Sequence, residues 1–505
     1  MQVHTERRLL TTLVTTALLA TLTACGSTVP LSSSSQANSA TPDGRPVTPT
    51  VSDGSSPGQL SGSASTRHGD AGVHSPVGAG DSPAAGSAGN GATSLPGATV
   101  AGPSGTGPIE IGVAIETDAT TIGKQFGYQS FDFGDQKGTV TAAINWANAH
   151  GGWLGHKIVP VWYDVNSLGN PASEASAACT SWTQDHHVVA ASLVGRLQVD
   201  EMYACLHKAH ALILGGVGYP VMRSSMAKYA PDLLSISSPT FDRFVPVWLD
   251  QLQKLGYFSG WDTRTGAPGS LPAKVGIVYE ANSLSDSVWA FVARQLAKRH
   301  IAVPVVASYS SAQQLSGIVL QFEGKGVTHV LMDQSAGFLY PQQAESQHYR
   351  ARYALNSLNY IQPYMVNGAV PKGQLAGMMA VGWIPSVDVA DVQDPGQTPA
   401  QARCLKIMHA AAVDVSKRNY RYVAYGACDL VFLLGRASQV SGKVTEAGLR
   451  DGIRAAANTF AMASQFAIAD YGSDPSVLAV VRAISYDAGC QCTKYVGPDV
   501  RLPSA

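Results

Sequence analysis

The side chains in this sequence with chemistry to offer are its seven cysteines and a set of polar and aromatic residues spread between apolar runs. Cys25 stands apart near the N-terminus, leaving Cys179, Cys205, Cys404, Cys428, Cys490 and Cys492. An even set in an oxidising compartment argues for disulfides, although six cysteines allow ~15 pairings. The favoured pairing joins Cys179 to Cys205, on predicted helices flanking one strand, and Cys404 to Cys428, across a helical hairpin. That leaves Cys490 with Cys492 in a strained Cys-x-Cys ring. Metal ligation is the alternative, but no Cys or His cluster has zinc-site spacing, so no metal is expected. The adjacent His186 and His187 precede a strand and have no partner at ligand spacing. Beyond residue 108 there is no Gly-x-Ser-x-Gly elbow, no His-Glu-x-x-His, no Walker loop and no Gly-x-Gly-x-x-Gly after a strand. Neither a catalytic residue nor a cofactor is therefore expected, and a secreted hydrolase built on paired carboxylates is the enzymatic alternative. The formal net charge of −1 offers nothing to nucleic acid or to an anionic surface.

The other candidates would hold a small molecule rather than transform it. They sit at or just past the ends of predicted strands: Gln125 and Phe126, Ser192 through Gly195 to Arg196, Tyr219, Tyr279 with Asn282, Asp333 with Gln334, and Asn356 with Ser357. Tyr219 and Tyr279 have rings that stack on or cap a ligand, and Asp333 can pair with an ammonium. Arg196 is a candidate for an anionic ligand or a plain surface charge. Each position is equally compatible with a turn residue or a solvated side chain.

The elements that would position them alternate. The β-like run at 109–115 is followed by a polar, Gly-containing loop. A helix then carries Val140, Ala143, Ile144 and Ala147 at i, i+3, i+4, i+7 spacing, and Gly151 and Gly152 stop it. Further strands are predicted at 157–163, 188–194 and 211–215, with helices at 172–182 and 200–209 between them. A second series begins after Pro239, with helices at 244–255, 285–300, 311–325 and 341–349, and strands at 274–279, 303–309 and 327–332. Past Gly373 come an extended run at 376–383, helices at 399–415, 422–439 and 445–456, and closing extended segments at 478–486 and 490–496. Strands alternating with helices imply parallel sheets covered on both faces, and about four hundred residues suit two lobes better than one core.

The N-terminus places the protein. Arg7 and Arg8 precede an apolar stretch at 9–22 that is short for a permanent span, and Leu22-Thr23-Ala24-Cys25 follows. This resembles the lipobox of bacterial lipoproteins, in which the cysteine is acylated and becomes the new N-terminus. The resemblance implies a signal peptide over 1–24 and a lipid, such as palmitate, on Cys25. An ordinary signal peptide with an incidental cysteine is the alternative. Residues 25–108 are mostly Ser, Gly, Ala, Pro and Thr, with no aromatic residue, Ile, Met or Lys. Such a segment buries too little apolar surface to order itself and reads as a flexible tether of about 50 Å.

The run Ala142-Ala143-Ile144-Asn145-Trp146-Ala147-Asn148-Ala149-His150-Gly151-Gly152-Trp153-Leu154-Gly155-His156-Lys157-Ile158, closed by Tyr163-Asp164, resembles the first helix and second strand of the type I periplasmic binding proteins, the branched-chain amino acid receptor family. The order of elements matches from Ile109 to about Tyr495. The resemblance implies an α/β fold of two Rossmann-like lobes with parallel central sheets joined by a multi-strand hinge. Lobe 1 would comprise 109–237 with 375–480, and lobe 2 would comprise 238–374 with 481–505. It further implies a small molecule trapped between the lobes, an ABC permease in the cytoplasmic membrane as partner, membrane contact through the N-terminal lipid alone, and an extracytoplasmic location. The sequence departs from the amino-acid receptors in two places. Their small hydroxyl run after the third strand is here Ser192-Leu193-Val194-Gly195-Arg196, where only Ser192 remains as a carboxylate donor. Their Tyr-Gly pair is here Tyr279-Glu280. Amino-acid specificity is therefore not carried over, and a sensory or scaffold module that kept the shell is a further alternative.

Overall fold

In the computed structural model, the described residues are 107–118, 121, 122, 124, 132–302, 304–366, 368–456, 459–466, 476 and 480–503. The signal segment, Cys25, the tether up to residue 106 and the candidates Gln125 and Phe126 lie outside them.

The chain enters on β1 (Ile109–Ile115), whose apolar run is buried from Ile111 onward, as a strand covered on both faces should be. Asp135 caps α1 (Gln136–Ala149) by accepting from the Gly138 N–H at 2.7 Å. The helix buries Val140, Ala143, Ile144 and Ala147 against the sheet. The Asn148 side chain then brackets Ile158, donating to its carbonyl at 2.9 Å and accepting from its N–H at 2.8 Å. This ties the helix end to the start of β2 (Ile158–Asp164). Asn148→Ala removes both bonds at a partly buried site, so unfolding free energy from urea denaturation is expected to fall by about 1–2 kcal/mol.

The series continues through α2 (Pro171–Thr180), β3 (Ala190–Val194), α3 (Asp200–Lys208), β4 (Leu212–Val217), α4 (Arg223–Lys228) and β5 (Leu233–Ser235). The five strands are parallel in the order β2-β1-β3-β4-β5. The second series begins with α5 (Phe241–Lys254) and a small ribbon of β6 (Trp261–Asp262) and β7 (Ala267–Pro268). It runs on through β8 (Val275–Glu280), α6 (Ser283–Lys298), β9 (Val305–Tyr309), α7 (Gln314–Gly324), β10 (His329–Met332), α8 (Gln334–Ser346), β11 (Arg352–Asn356), α9 (Ile361–Val366) and β12 (Met379–Gly382). Its parallel strands lie in the order β9-β8-β10-β11-β12, the same winding as the first sheet. After α10 (Pro385–Asp388), α11 (Pro399–Ala410), α12 (Arg418–Ser441) and α13 (Glu446–Ala456), the hairpin β13 (Val480–Asp487) and β14 (Cys492–Arg501) adds antiparallel to β12.

Two boundaries differ from the sequence expectation. The run at 376–383, expected with lobe 1, contains Met379–Gly382, which pairs with β11 as the fifth parallel strand of the second sheet. Helices α11 to α13, by contrast, do return to the first sheet, burying Cys404, Met408, Leu434, Leu449 and Ile453 with Ile111 and Val113. The helix expected to start at Pro341 starts at Gln334, because Asp333 caps it through the Ala336 N–H at 2.8 Å and Pro341 is carried inside. The short elements α4, β5, β6, β7 and α9 carry too little periodicity to be read from sequence.

Among the described residues, two passages between the lobes can be followed, at 236–240 and after β12, and Ser476 is described beside the first. The first, 236–240, meets the second where the Trp383 indole donates to the Ser237 carbonyl at 2.9 Å. Ser476 bridges to Ser235, and its hydroxyl lies 3.2 Å from the Arg243 guanidinium. The six cysteines stand at disulfide distance in three pairs. Cys179 and Cys205 link α2 to α3 with Cα atoms 6.2 Å apart, and Cys404 and Cys428 link α11 to α12 at 5.9 Å. Cys490 and Cys492 close the β13–β14 turn at 5.2 Å.

Candidate functional site

In an open sheet wound 2-1-3-4-5, the loops after strands 1 and 3 diverge to opposite faces and leave a crevice beyond their carboxyl ends. Here there are two such crevices, after β1 and β3 and after β8 and β10, and they face each other. Glu116 follows β1, Gly195 and Arg196 follow β3, Glu280 ends β8, and Asp333 follows β10. The Arg196 guanidinium crosses from one crevice to the other, donating to Glu280 Oε1 at 2.8 Å and to the Ser167 carbonyl within its own lobe. Glu280 Oε2 accepts from the Ser335 hydroxyl at 3.2 Å, and the Glu280 N–H donates to Asp333 Oδ2 at 2.7 Å.

The geometry forces glycine at two of these positions. Gly195 has φ +45°, and a Cβ there would fall 2.0 Å from Glu116 Oε1, so the carboxylate rests on bare backbone. Gly218, at φ +75° just past β4, would place a Cβ 2.9 Å from the Tyr360 hydroxyl of the other lobe and 3.2 Å from Gln334 Oε1. An aromatic wall borders the acidic floor. The Tyr360 and Tyr422 hydroxyls are 2.9 Å apart, and the Phe133 ring centroid lies 5.8 Å from that of Tyr360 and 6.4 Å from that of Tyr422. Tyr422→Phe leaves the buried Tyr360 hydroxyl without this partner, and thermal unfolding should report a loss of about 1 kcal/mol.

Burial dominates the electrostatics. It pushes the Glu116 carboxyl up to about 7, helped by Asp118 and opposed by Arg196. It also pushes Asp333 up to about 7, against the backbone N–H groups of Glu280 and Ala336, which favour the carboxylate. Tyr219 is held well above its ordinary value by burial, with Glu280 and then Asp333 adding to the effect. Asp118 accepts from the Ser167 N–H at 2.9 Å and hydroxyl at 2.6 Å, fixing the loop that receives Arg196.

Of the residues singled out from sequence, Gly195, Arg196, Tyr219, Asp333 and Gln334 come together in the cleft. Ser192 lies inside β3, two residues short of its end, and is buried. Arg196 does not present an unclaimed charge to an anion, because Glu280 holds it. Tyr279, Asn282 and Asn356 have partners within their own lobe that account for their polarity. The Tyr279 hydroxyl donates to Asp286 at 2.8 Å and its ring stacks on Trp289. Asn282 caps α6 through the Ser285 N–H, and Asn356 accepts from the Leu358 N–H within a capping box. Ser357 binds Asp388 and the Trp383 N–H. Sequence reading passed over Glu116, Glu280, Tyr309, Ser335, Tyr360 and Tyr422. Strand alternation holds the missing signal for one of them: with Tyr279 turned to Trp289, the next residue, Glu280, points the other way. Among the described residues no His, Cys, Asp and Glu group is arranged to hold a metal, and no helix is long and apolar enough to cross a membrane.

No family model and no curated protein matches this sequence. Solved structures do match its fold. A type 1 periplasmic binding protein from Bordetella pertussis Tohama I is 13% identical with a TM-score of 0.57, covering 77% of this chain and 100% of its own. A branched-chain amino acid transporter substrate-binding protein from Streptococcus pneumoniae, in complex with isoleucine, is 12% identical with a TM-score of 0.53 over 77% and 100% of the two chains. An ABC transporter solute-binding protein from Rhodopseudomonas palustris HaA2, in complex with p-hydroxybenzoic acid, is 13% identical with a TM-score of 0.55 over 78% and 98%. These neighbours are binding proteins rather than enzymes.

Proposed function

We propose that this chain, which has the type I periplasmic binding protein fold, is an extracytoplasmic solute-binding lipoprotein that captures a small molecule between its lobes and passes it to an ABC importer. The observation that carries the reading is the meeting of two strand-end crevices, one per lobe, across a single cleft linked by the Arg196–Glu280 pair. Residues 109–237 with the helices of 399–456 form one lobe, and the second sheet with its helices forms the other. Hinge movement about the passages between the lobes would admit and enclose the solute. Gly195, Arg196, Tyr219, Asp333 and Gln334 contact it in this reading, with Glu116, Glu280 and Tyr360 beside them. Cys25 carries the lipid after removal of 1–24, and the tether lets the loaded lobes reach the permease. The three cysteine pairs are oxidised in that compartment, as expected for an exported protein.

Native mass spectrometry of the purified full chain tests the reading. One copurifying small molecule per chain, released on unfolding and not converted on incubation, is the expected result. Turnover of the bound molecule would favour the hydrolase alternative instead. Re-adding the solute at about one hundred times its dissociation constant should stabilise the chain by about 2.7 kcal/mol.

A further inference from the structure

Resting on that reading and narrowing its ligand, we propose that the solute is an organic cation, an amine or guanidine that carries no carboxylate. Glu116, Asp118, Glu280 and Asp333 gather at the strand ends around one guanidinium, that of Arg196. Arg196 is already held by Glu280 and the Ser167 carbonyl, and Lys124 is exposed. Arg196 is the cation among the leading influences on Glu116, and no cation is among those on Asp333. A ligand carboxylate would therefore add negative charge to a half-buried, already negative floor, while a ligand cation would relieve it. Burial is the first cause of the upward shifts of Glu116 and Asp333, and a cation placed against them would favour their charged forms.

Tyr309 supplies an independent sign. Its side chain is 4% exposed, and its hydroxyl sits beside Asp333 and Ser335 without a well-formed hydrogen bond to any described residue. A buried hydroxyl so placed has room for a partner from outside, and because its proton faces the Asp333 carboxylate its oxygen is left to accept an N–H. The Glu116 carboxylate likewise accepts no hydrogen bond from a described residue, although the Glu116 backbone is clamped by Gln136. Tyr219, Tyr360 and Tyr422 border this floor as buried aromatic side chains, which lowers the hydration of the site. Isoleucine and p-hydroxybenzoic acid, bound by two of the neighbours, both carry the carboxylate that this proposal excludes.

Calorimetric titration of the full chain at physiological salt with spermidine, agmatine and choline, set against isoleucine and 4-hydroxybenzoate, tests the proposal. At least one cation is expected to bind one to one. Glu116→Gln should weaken that binding tenfold or more, with circular dichroism showing the variant folded. Tyr309→Phe, which removes only that hydroxyl, should weaken it severalfold and guards against a folding defect in the first variant. One-to-one binding of isoleucine or 4-hydroxybenzoate, unchanged in Glu116→Gln, would overturn the cation assignment and leave the solute-binding reading standing. Failure of all five probes also overturns the assignment, and the copurifying molecule then decides the broader reading.

Discussion

Gly152→Ala is expected to lower the unfolding free energy by about 3 kcal/mol, measured by urea denaturation followed through tryptophan fluorescence. Gly152 has φ +63°, where a side chain is strained, and its Cβ would lie 1.9 Å from the His156 carbonyl oxygen. That oxygen belongs to backbone and accepts from the Trp153 N–H at 3.0 Å, so it has little freedom to retreat. Trp153 is 2% exposed and packs against α12 where Gly435 leaves room, a Cβ there falling 3.1 Å from the indole nitrogen. Displacing the turn therefore disturbs the joint between the first sheet and the helix that returns from the far end of the chain. Gly317→Ala, in α7 with open space around its Cβ, is the control. It should raise stability by about 0.5–1 kcal/mol through helix propensity alone. A loss below about 0.5 kcal/mol for Gly152→Ala would show that the turn is not rigid.

Glu116→Gln is expected to stabilise the chain at pH 8 while weakening its site. Burial raises the Glu116 carboxyl from 4.5 to about 7, so the folded chain binds this proton more tightly than the unfolded chain does. The resulting contribution is fully present below pH ~4.5 and is lost as pH climbs through ~7, leaving a charged carboxylate in a poorly hydrated place. Glutamine removes that charge. The variant should gain about 1–3 kcal/mol over the parent at pH 8, the lower end allowing for partial solvent contact, and almost nothing at pH 4. Stability curves at the two pH values check it. A gain of equal size at both would assign the effect to packing rather than ionisation. More stability with weaker solute binding is the trade expected of a carboxylate kept for a ligand.

Much of the fold could be read from the chain because its signals are local and repeated. The helix face at Val140, Ala143, Ile144 and Ala147, the glycine stop and the apolar strand runs each follow from backbone geometry, and two copies of one winding reinforced them. The extended run at 376–383 is legible as a strand but its sheet is not, because membership depends on pairing with β11, a contact that sequence order does not reveal. The site was legible to the nearest turn and not to the residue. Asn282 and Asp333 both follow strands and both cap helices, yet only Asp333 also takes the Glu280 N–H and joins the floor of the cleft. Arg196 stood in the right loop, but its partner Glu280 lies 84 positions away, beyond the reach of any local pattern. Tyr360 and Tyr422 meet only because the lobes do, so neither carries a signal in its own segment.

The central claim is that one solute is held by the strand ends of both lobes together. Hydrogen exchange of the full chain, with and without the molecule found to copurify, measures this directly. Slowed exchange at the backbone of Glu116, Arg196 and Tyr219 together with Glu280, Asp333 and Ser335 is the result expected here. Protection confined to one lobe, or appearing only away from these strand ends, would contradict the claim.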